Sequence, residues 1–245
     1  MSAYGAIAKV YDLFLDDFNY RHYTEYIRNI VKEHNYTGSI VDAGCGTGTM
    51  LKLLSGVKNE LIGIDLSTDM LSIAARKNKN VLLLNQDITK MELTSSVSVV
   101  YSTLDVINHL PSLDEIKKFF RCVSLTLEEE GTFVFDFNLP YKHEYILANN
   151  SFTYEKYKYY LIWNSYLNKD RIKICLDLFT KEKDGRYLRE SEEFFEYTYS
   201  LDKILSCLKD DFDVVYITDG DNFNELTEIS ERALITVRRK SHGEK

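Results

Sequence analysis

Several common features are missing from this chain of 245 residues. Its four cysteines (Cys45, Cys122, Cys175 and Cys207) are widely scattered and form no CxxC pair. That argues against a zinc site or a disulfide framework, and it makes reduced thiols and a cytoplasmic setting the expectation. There are only two prolines, and no proline- or glycine-rich stretch, internal repeat or low-complexity tract marks a linker. No apolar run approaches the ~20 residues of a membrane-spanning helix. The opening MSAYGAIAKVYDLF lacks a basic n-region and does not read as a secretory signal. Basic residues are in the minority: 30 Lys and Arg against 38 Asp and Glu give a formal net charge of −8. That argues against a nucleic-acid partner, whose phosphates need cations. What is left is an ordinary globular composition, 44% hydrophobic and 28% charged. The length suits one large domain, or one domain with an insertion, around a real core.

Periodicity supplies the elements. Residues 20–34 place Tyr23, Tyr26, Ile27, Ile30 and Val31 on one helical face. A short strand at 39–43 leads into a glycine-rich turn and a helix from about 48 to 55. ELIGID (60–65) reads as a second strand, and Ser67 as the N-cap of a helix that turns Met70, Ile73 and Ala74 inward. VLLL (81–84) reads as a buried strand ending at Gln86-Asp87, and VSVVY (97–101) as another. Ser112 and Glu115 form a capping box. The helix they open carries Leu113, Ile116, Phe120, Val123 and Leu127 on one face, with Gly131 as its stop and Glu128–Glu130 solvated at its end. TFVFDF (132–137) is the next strand. Such alternation of strand and helix predicts a parallel sheet covered by helices.

The texture changes at residues 150–199. Polar and apolar residues alternate, and turn signals stand at 168–170 and 183–185. The expectation is three or four antiparallel strands inserted into the α/β domain. A helix at 200–209 and strands at 212–218 and 232–238 would complete the main sheet. The organisation is thus a core of 1–149 plus 200–245, with 150–199 inserted. The insertion holds 13 of the 32 aromatics, among them Trp163, the single tryptophan, and nine basic against nine acidic residues. Most of these rings read as strand formers, and the balanced charge is wrong for an RNA platform.

Residues 40–49 read IVDAGCGTGT. Glycines at every second position between a strand and a helix let a ligand approach the backbone. A dinucleotide site wants G-x-G-x-x-G. Here the third glycine comes one position early, and Thr49 stands where that pattern needs glycine. Asp42, just before the turn, would repel a pyrophosphate and attract a cationic amine.

On Asp42-Ala43-Gly44-Cys45-Gly46-Thr47-Gly48, followed by Asp65 in GIDLS and by Gln86-Asp87-Ile88, the sequence resembles the class I S-adenosylmethionine-dependent methyltransferases. The resemblance runs from about Tyr4 to Arg238. It implies a Rossmann-like, seven-stranded, mostly parallel sheet flanked by helices, with an inserted antiparallel β subdomain lying as a lid over the acceptor site. It also implies a cofactor site of Asp42, Gly44, Cys45, Gly46 and Gly48 in the turn, with Leu66 following Asp65. Asp65 would take both ribose hydroxyls, Met70 would pack on the adenine, and Asp87 and Ile88 would read its edge. The start YGAIAKVYD and the segment TLDVINHL look like a bacterial small-molecule subgroup that includes nucleotide-aminosugar N-methyltransferases. In that subgroup an N-terminal tyrosine closes over the cofactor; Tyr4 and Tyr11 are the matching positions.

Methyl transfer needs alignment and a deprotonated nucleophile more than it needs an acid. Of five histidines, His109 lies in the loop after the fourth strand and is the candidate general base. Asp105 and Asn108 flank it, within reach of cofactor or acceptor. No His/Asp/Glu cluster accompanies it in sequence, so no metal is expected. The expected partner is a small-molecule acceptor, by N- or O-methylation, with the oligomeric state open. The rival readings are an RNA or protein methyltransferase, a nicotinamide-dependent oxidoreductase, and a non-catalytic cofactor-binding subunit.

Overall fold

The computed structural model describes residues 7–15 and 19–241. A short 3-10 turn (Ala8–Val10) leads into helix α1 (Tyr11–Phe14) and helix α2 (Tyr20–Glu33). Asn19 caps α2 by accepting from the His22 amide, and α2 buries Tyr23, Ile27 and Ile30. Strand and helix then alternate: β1 (Ile40–Ala43), α3 (Thr49–Leu54), β2 (Leu61–Asp65), α4 (Thr68–Lys77), β3 (Leu82–Asn85), β4 (Val97–Ser102), α5 (Leu113–Thr126) and β5 (Leu127–Asn138). A π-helical segment, Lys142–Leu147, precedes four strands, β6 (Ser151–Lys156), β7 (Tyr159–Asn168), β8 (Arg171–Lys181) and β9 (Tyr187–Tyr197). Helix α6 (Leu201–Leu208) and strands β10 (Phe212–Asp219) and β11 (Arg232–Arg239) close the chain.

The main sheet has the order β10-β11-β5-β4-β1-β2-β3. β1 pairs in parallel with β2 and β4, while β11 runs antiparallel between β5 and β10. β1 and β4 are buried along their whole length, as strands covered on both faces must be. One layer of core packs α5 and α6 on Phe133, Phe135 and Phe137; the other packs α2 and α3 on Ile40, Val99 and Leu234. The second sheet, β6-β7-β8-β9, is antiparallel throughout. Its inner face buries Ile172, Ile174 and Leu178 together with Ile7 and Val10 from the N-terminal segment. Among the described residues no helix is long and apolar enough to cross a membrane.

Two expectations are corrected. The strand at 81–84 is not buried: it is the edge strand β3, shifted by one residue, with Leu82 47% exposed. A sheet edge is covered on one side only, which an apolar run does not reveal. Nor does Gly131 stop α5. The helix ends at Thr126, and Glu128–Glu130 lie in β5. Leu127 fits the buried helical face equally well, yet it pairs with Val97 across the sheet. Gly131 is needed for close approach: a Cβ there would lie 3.1 Å from the Ser98 carbonyl oxygen and 3.0 Å from that of Glu128.

Candidate active site

The three alternating glycines serve three different neighbours. All have positive φ: +88° at Gly44, +49° at Gly46 and +72° at Gly48. The backbone amides of Gly44 and Cys45 both donate to the Ile64 carbonyl, which folds the turn back over β2. A Cβ on Gly44 would stand 2.5 Å from Val106, and one on Gly48 would stand 2.6 Å from the Asn78 amide. Those two are glycines for packing. At Gly46 a Cβ would meet nothing within 4 Å, because this residue faces a cavity of about 440 Å³ at the carboxyl ends of the parallel strands.

Asp65, at the end of β2, anchors one wall of that cavity. One carboxylate oxygen accepts from the Gly46 amide and the other from the Ser67 amide, each at 2.8 Å. Burial pushes its carboxyl up from the usual range, and those two N–H groups oppose the shift. Beside it, Met70 is buried, Leu66 is 61% exposed, and both line the cavity with Asp87 and Ile88. Asp87 accepts from the Thr89 amide and hydroxyl. Tyr11, Asp42, Gly44, Cys45 and His109 also face the cavity. Gly48 and Asp105 stand behind its surface: Gly48 opens α3, and Asp105 is turned toward Arg232. Tyr4 lies outside the described residues.

The far end of the cavity is built from the chain on both sides of the insertion. Leu104 and Asp105 have φ of +64° and +57°, a left-handed pair that non-glycine residues adopt only when held. Buried Asp136 holds them, accepting from the Leu104 amide at 3.0 Å and the Asp105 amide at 2.7 Å. Arg232 then bridges Asp136 at 3.0 Å and Asp105 at 2.8 Å. Burial works to raise the Asp105 carboxyl, but the Arg232 guanidinium, with Lys142 and His109 beyond it, holds it below the usual range. The next turn, Val106–His109, buries Asn108. Its amide donates to the Asn138 and Tyr197 carbonyls, and its oxygen accepts from the Asn138 amide. The His109 ring packs on Phe194 of β9, centroids 5.4 Å apart.

Several site residues are not evident from the sequence. Tyr20, Phe194, Phe195 and Tyr197 line the cavity, and Arg232 and Asp136 brace its rim. Asp105, His109 and Glu196 bring their oxygen and nitrogen atoms within 4.8 Å of one another, so an acidic cluster does accompany His109. Glu196 is 87 positions further along the chain, which hides it from any local reading. Arg232 already engages Asp105, and His143 engages Glu196 at 3.1 Å. One signal was available: Glu190, Glu192 and Glu196 occupy even positions on the inward face of β9, and acids on that face need partners.

Comparison with known proteins agrees with this geometry. A family model described as a methyltransferase domain matches residues 40–131. A protein of Geobacillus sp. (strain WCH70) that carries a provisional methyltransferase name is 27% identical over 96% of this chain and 99% of its own. A crystal structure of an S-adenosylmethionine-dependent methyltransferase from Clostridium acetobutylicum superposes with a TM-score of 0.88 at 28% identity, over 97% of this chain and 99% of that one. The chain is a class I S-adenosylmethionine-dependent methyltransferase. A further relative, the dTDP-3-amino-3,6-dideoxy-alpha-D-glucopyranose N,N-dimethyltransferase of Streptomyces fradiae, is 31% identical over 46% of this chain and 45% of its own.

The cofactor of this methyltransferase is a sulfonium cation, and the cavity suits one. Its lining includes Asp42, Asp65 and Asp87 but no Lys or Arg among the described residues. Asp42 is fully enclosed. Burial pushes its carboxyl up to about 8; the Tyr101 hydroxyl beside it lowers it, and the Asp65 charge raises it. An ammonium placed there would return it to the charged form.

Proposed function

We propose that this methyltransferase transfers the methyl group of S-adenosylmethionine to a small amine, with His109 as general base. The observation that carries the reading is the cavity wall. It runs from the glycine turn and Asp65 to His109, offers carboxylates and aromatic rings, and holds no Lys or Arg among the described residues. Such a wall accepts cations and rejects a phosphate backbone, which weighs against an RNA acceptor.

The residues divide by end. Asp65 keeps free lone pairs on both oxygens for the ribose hydroxyls, Met70 packs on the adenine, and Asp87 with the Ile88 backbone reads its edge. Gly46 leaves room for the cofactor chain, Asp42 draws its ammonium, and Tyr11 covers it. Bound there, the cofactor supplies an electrophilic methyl group whose leaving sulfur becomes neutral. The chain's own work is then alignment and proton removal. His109 stands at the strand ends where the acceptor nitrogen must come, with Asp105 and Glu196 close behind it. The inserted sheet closes this end with Phe194, Phe195 and Tyr197 and serves as the lid over the acceptor. The aminosugar N,N-dimethyltransferase relative is consistent with an amine.

The test is to incubate the enzyme and methyl-labelled cofactor with a cell extract separated into dialysable, RNA and protein fractions. Label in a basic compound of the dialysable fraction, lost in His109→Gln, is expected. Label in RNA or protein would overturn the small-molecule reading.

A further inference from the structure

Glu196 is a buried carboxylate, 4% exposed, contributed by the inserted sheet rather than by the methyltransferase core. No Lys or Arg reaches it among the described residues. Its Oε2 accepts from the Asn138 side-chain amide at 3.3 Å and sits 3.1 Å from His143 Nε2. His143 is completely enclosed, with Nδ1 2.7 Å from the Thr198 hydroxyl. On its other side Glu196 comes within 4.8 Å of His109 and Asp105. A buried carboxylate with no permanent cation is costly unless something else compensates it. Here it stands between two imidazoles, one sealed in and one at the cavity wall.

Strand geometry explains how it gets there. Residues 194 and 196 share a face of β9, so the strand that lays Phe194 against the His109 ring also brings the carboxylate to that ring. Asn108 ties the two elements by donating to the Tyr197 carbonyl at 3.0 Å. The insertion therefore carries more than a cover for the acceptor.

We infer that Glu196 is a positioning residue for the methyl-transfer base: it orients the His109 imidazole and holds the proton that His109 takes from the acceptor. The inference rests on the proposed role of His109. In the step, an acceptor ammonium gives one proton to His109. The freed nitrogen lone pair forms the bond to the methyl carbon, and the carbon–sulfur bond breaks with its electrons staying on sulfur. The imidazolium left behind faces Asp105 from its own turn, Glu196 from β9 and Asp65 across the cavity. Arg232 and Lys142 stand behind Asp105 and temper its charge, while among the described residues Glu196 meets no Lys or Arg, but the His143 ring and the Asn138 side-chain amide. Glu196 is thus the carboxylate with the most charge to spare for the proton.

The experiment follows the histidine side chains by NMR in isotope-labelled protein saturated with S-adenosylhomocysteine, so no acceptor is required. Glu196→Gln keeps the shape and one acceptor oxygen and removes the charge. The protonation midpoint of His109 is expected to fall by about one pH unit, the size an opposite charge at this range produces. Glu196→Asp should restore most of it. S-adenosylhomocysteine affinity should stay within twofold in both, which also shows that they are folded. An unchanged His109 midpoint in folded Glu196→Gln overturns the inference. Failure of the base reading looks different: His109→Gln would then keep full methyl transfer while Glu196 still moved the His109 midpoint.

Discussion

Asp12, in the first helix, accepts hydrogen bonds from the Thr47 and Thr49 hydroxyls of the glycine turn and pairs with Lys77 at the end of α4. One end of the N-terminal segment is thereby tied to the glycine turn. The other end belongs to the inserted sheet, through Ile7 and Val10 in its core and Lys9 on Glu190. Tyr11 lies between these attachments, over the cavity.

Loosening that tie should speed cofactor release. Charge-assisted bonds are stronger than neutral ones, but the Asp12 side chain is 38% exposed and screening reduces their worth. For Asp12→Ala we expect a roughly fivefold faster dissociation of S-adenosylhomocysteine in stopped-flow displacement, with little change in association. Equal rates in parent and variant would show that the segment does not gate the site.

The glycines separate packing from binding. Gly44→Ala should destabilise the fold outright, because its Cβ meets Val106 at 2.5 Å. Gly46→Ala has room on the cavity side and costs only its positive φ, about 1–2 kcal/mol. Thermal unfolding should show the larger loss for Gly44→Ala. Calorimetric titration should show Gly46→Ala failing to bind S-adenosylhomocysteine although folded. Tight binding by Gly46→Ala would mean that the cofactor does not lie against that residue.

What the sequence made legible follows from how local each signal is. Asp42, Gly44, Gly46 and Asp65 sit at strand ends whose order a repeating strand–helix pattern dictates, so their convergence in one cavity is foreseeable. Arg232 is different. It lies 96 positions from its partner Asp136, and only the antiparallel pairing of β11 with β5 brings them together. Glu196 comes to His109 by the same kind of long return. Apolar spacing also fails where two elements would bury the same residue, as at Leu127, and where a strand is an edge, as at Leu82.

Arg232 gives a stability prediction. Its removal leaves buried Asp136 and half-buried Asp105 beside each other without their guanidinium, a loss of about 3–5 kcal/mol for a broken buried pair. For a chain of this size that lowers Tm by about 10 °C. Arg232→Met should show this in thermal unfolding at neutral pH. The loss should shrink in Arg232→Met/Asp136→Asn, because the amide keeps the shape without the charge. A single variant as stable as the parent would remove Arg232 from the scaffold of the 104–109 turn.

Asp42 predicts a dependence of cofactor binding on pH. In the folded protein its carboxyl is pushed up to about 8 by burial, whereas in the unfolded chain it titrates near 4. The unfolded state therefore gives up this proton first, and the contribution to stability falls as pH rises from about 4 to about 8. Asp42→Asn removes that slope, so it should gain on the parent in thermal unfolding at pH 8 relative to pH 5. Binding reverses the demand: an ammonium against Asp42 favours the carboxylate. At pH 7 the free protein holds the proton and the complex does not. The cofactor amine, titrating near pH 8, is already mostly charged and takes up little. Calorimetry of S-adenosylhomocysteine in buffers of different ionisation enthalpy should thus show release of between half a proton and one at pH 7, and almost none in Asp42→Asn, which should also bind at least tenfold more weakly. Proton uptake, or release that survives in Asp42→Asn, would place the ammonium elsewhere in the cavity.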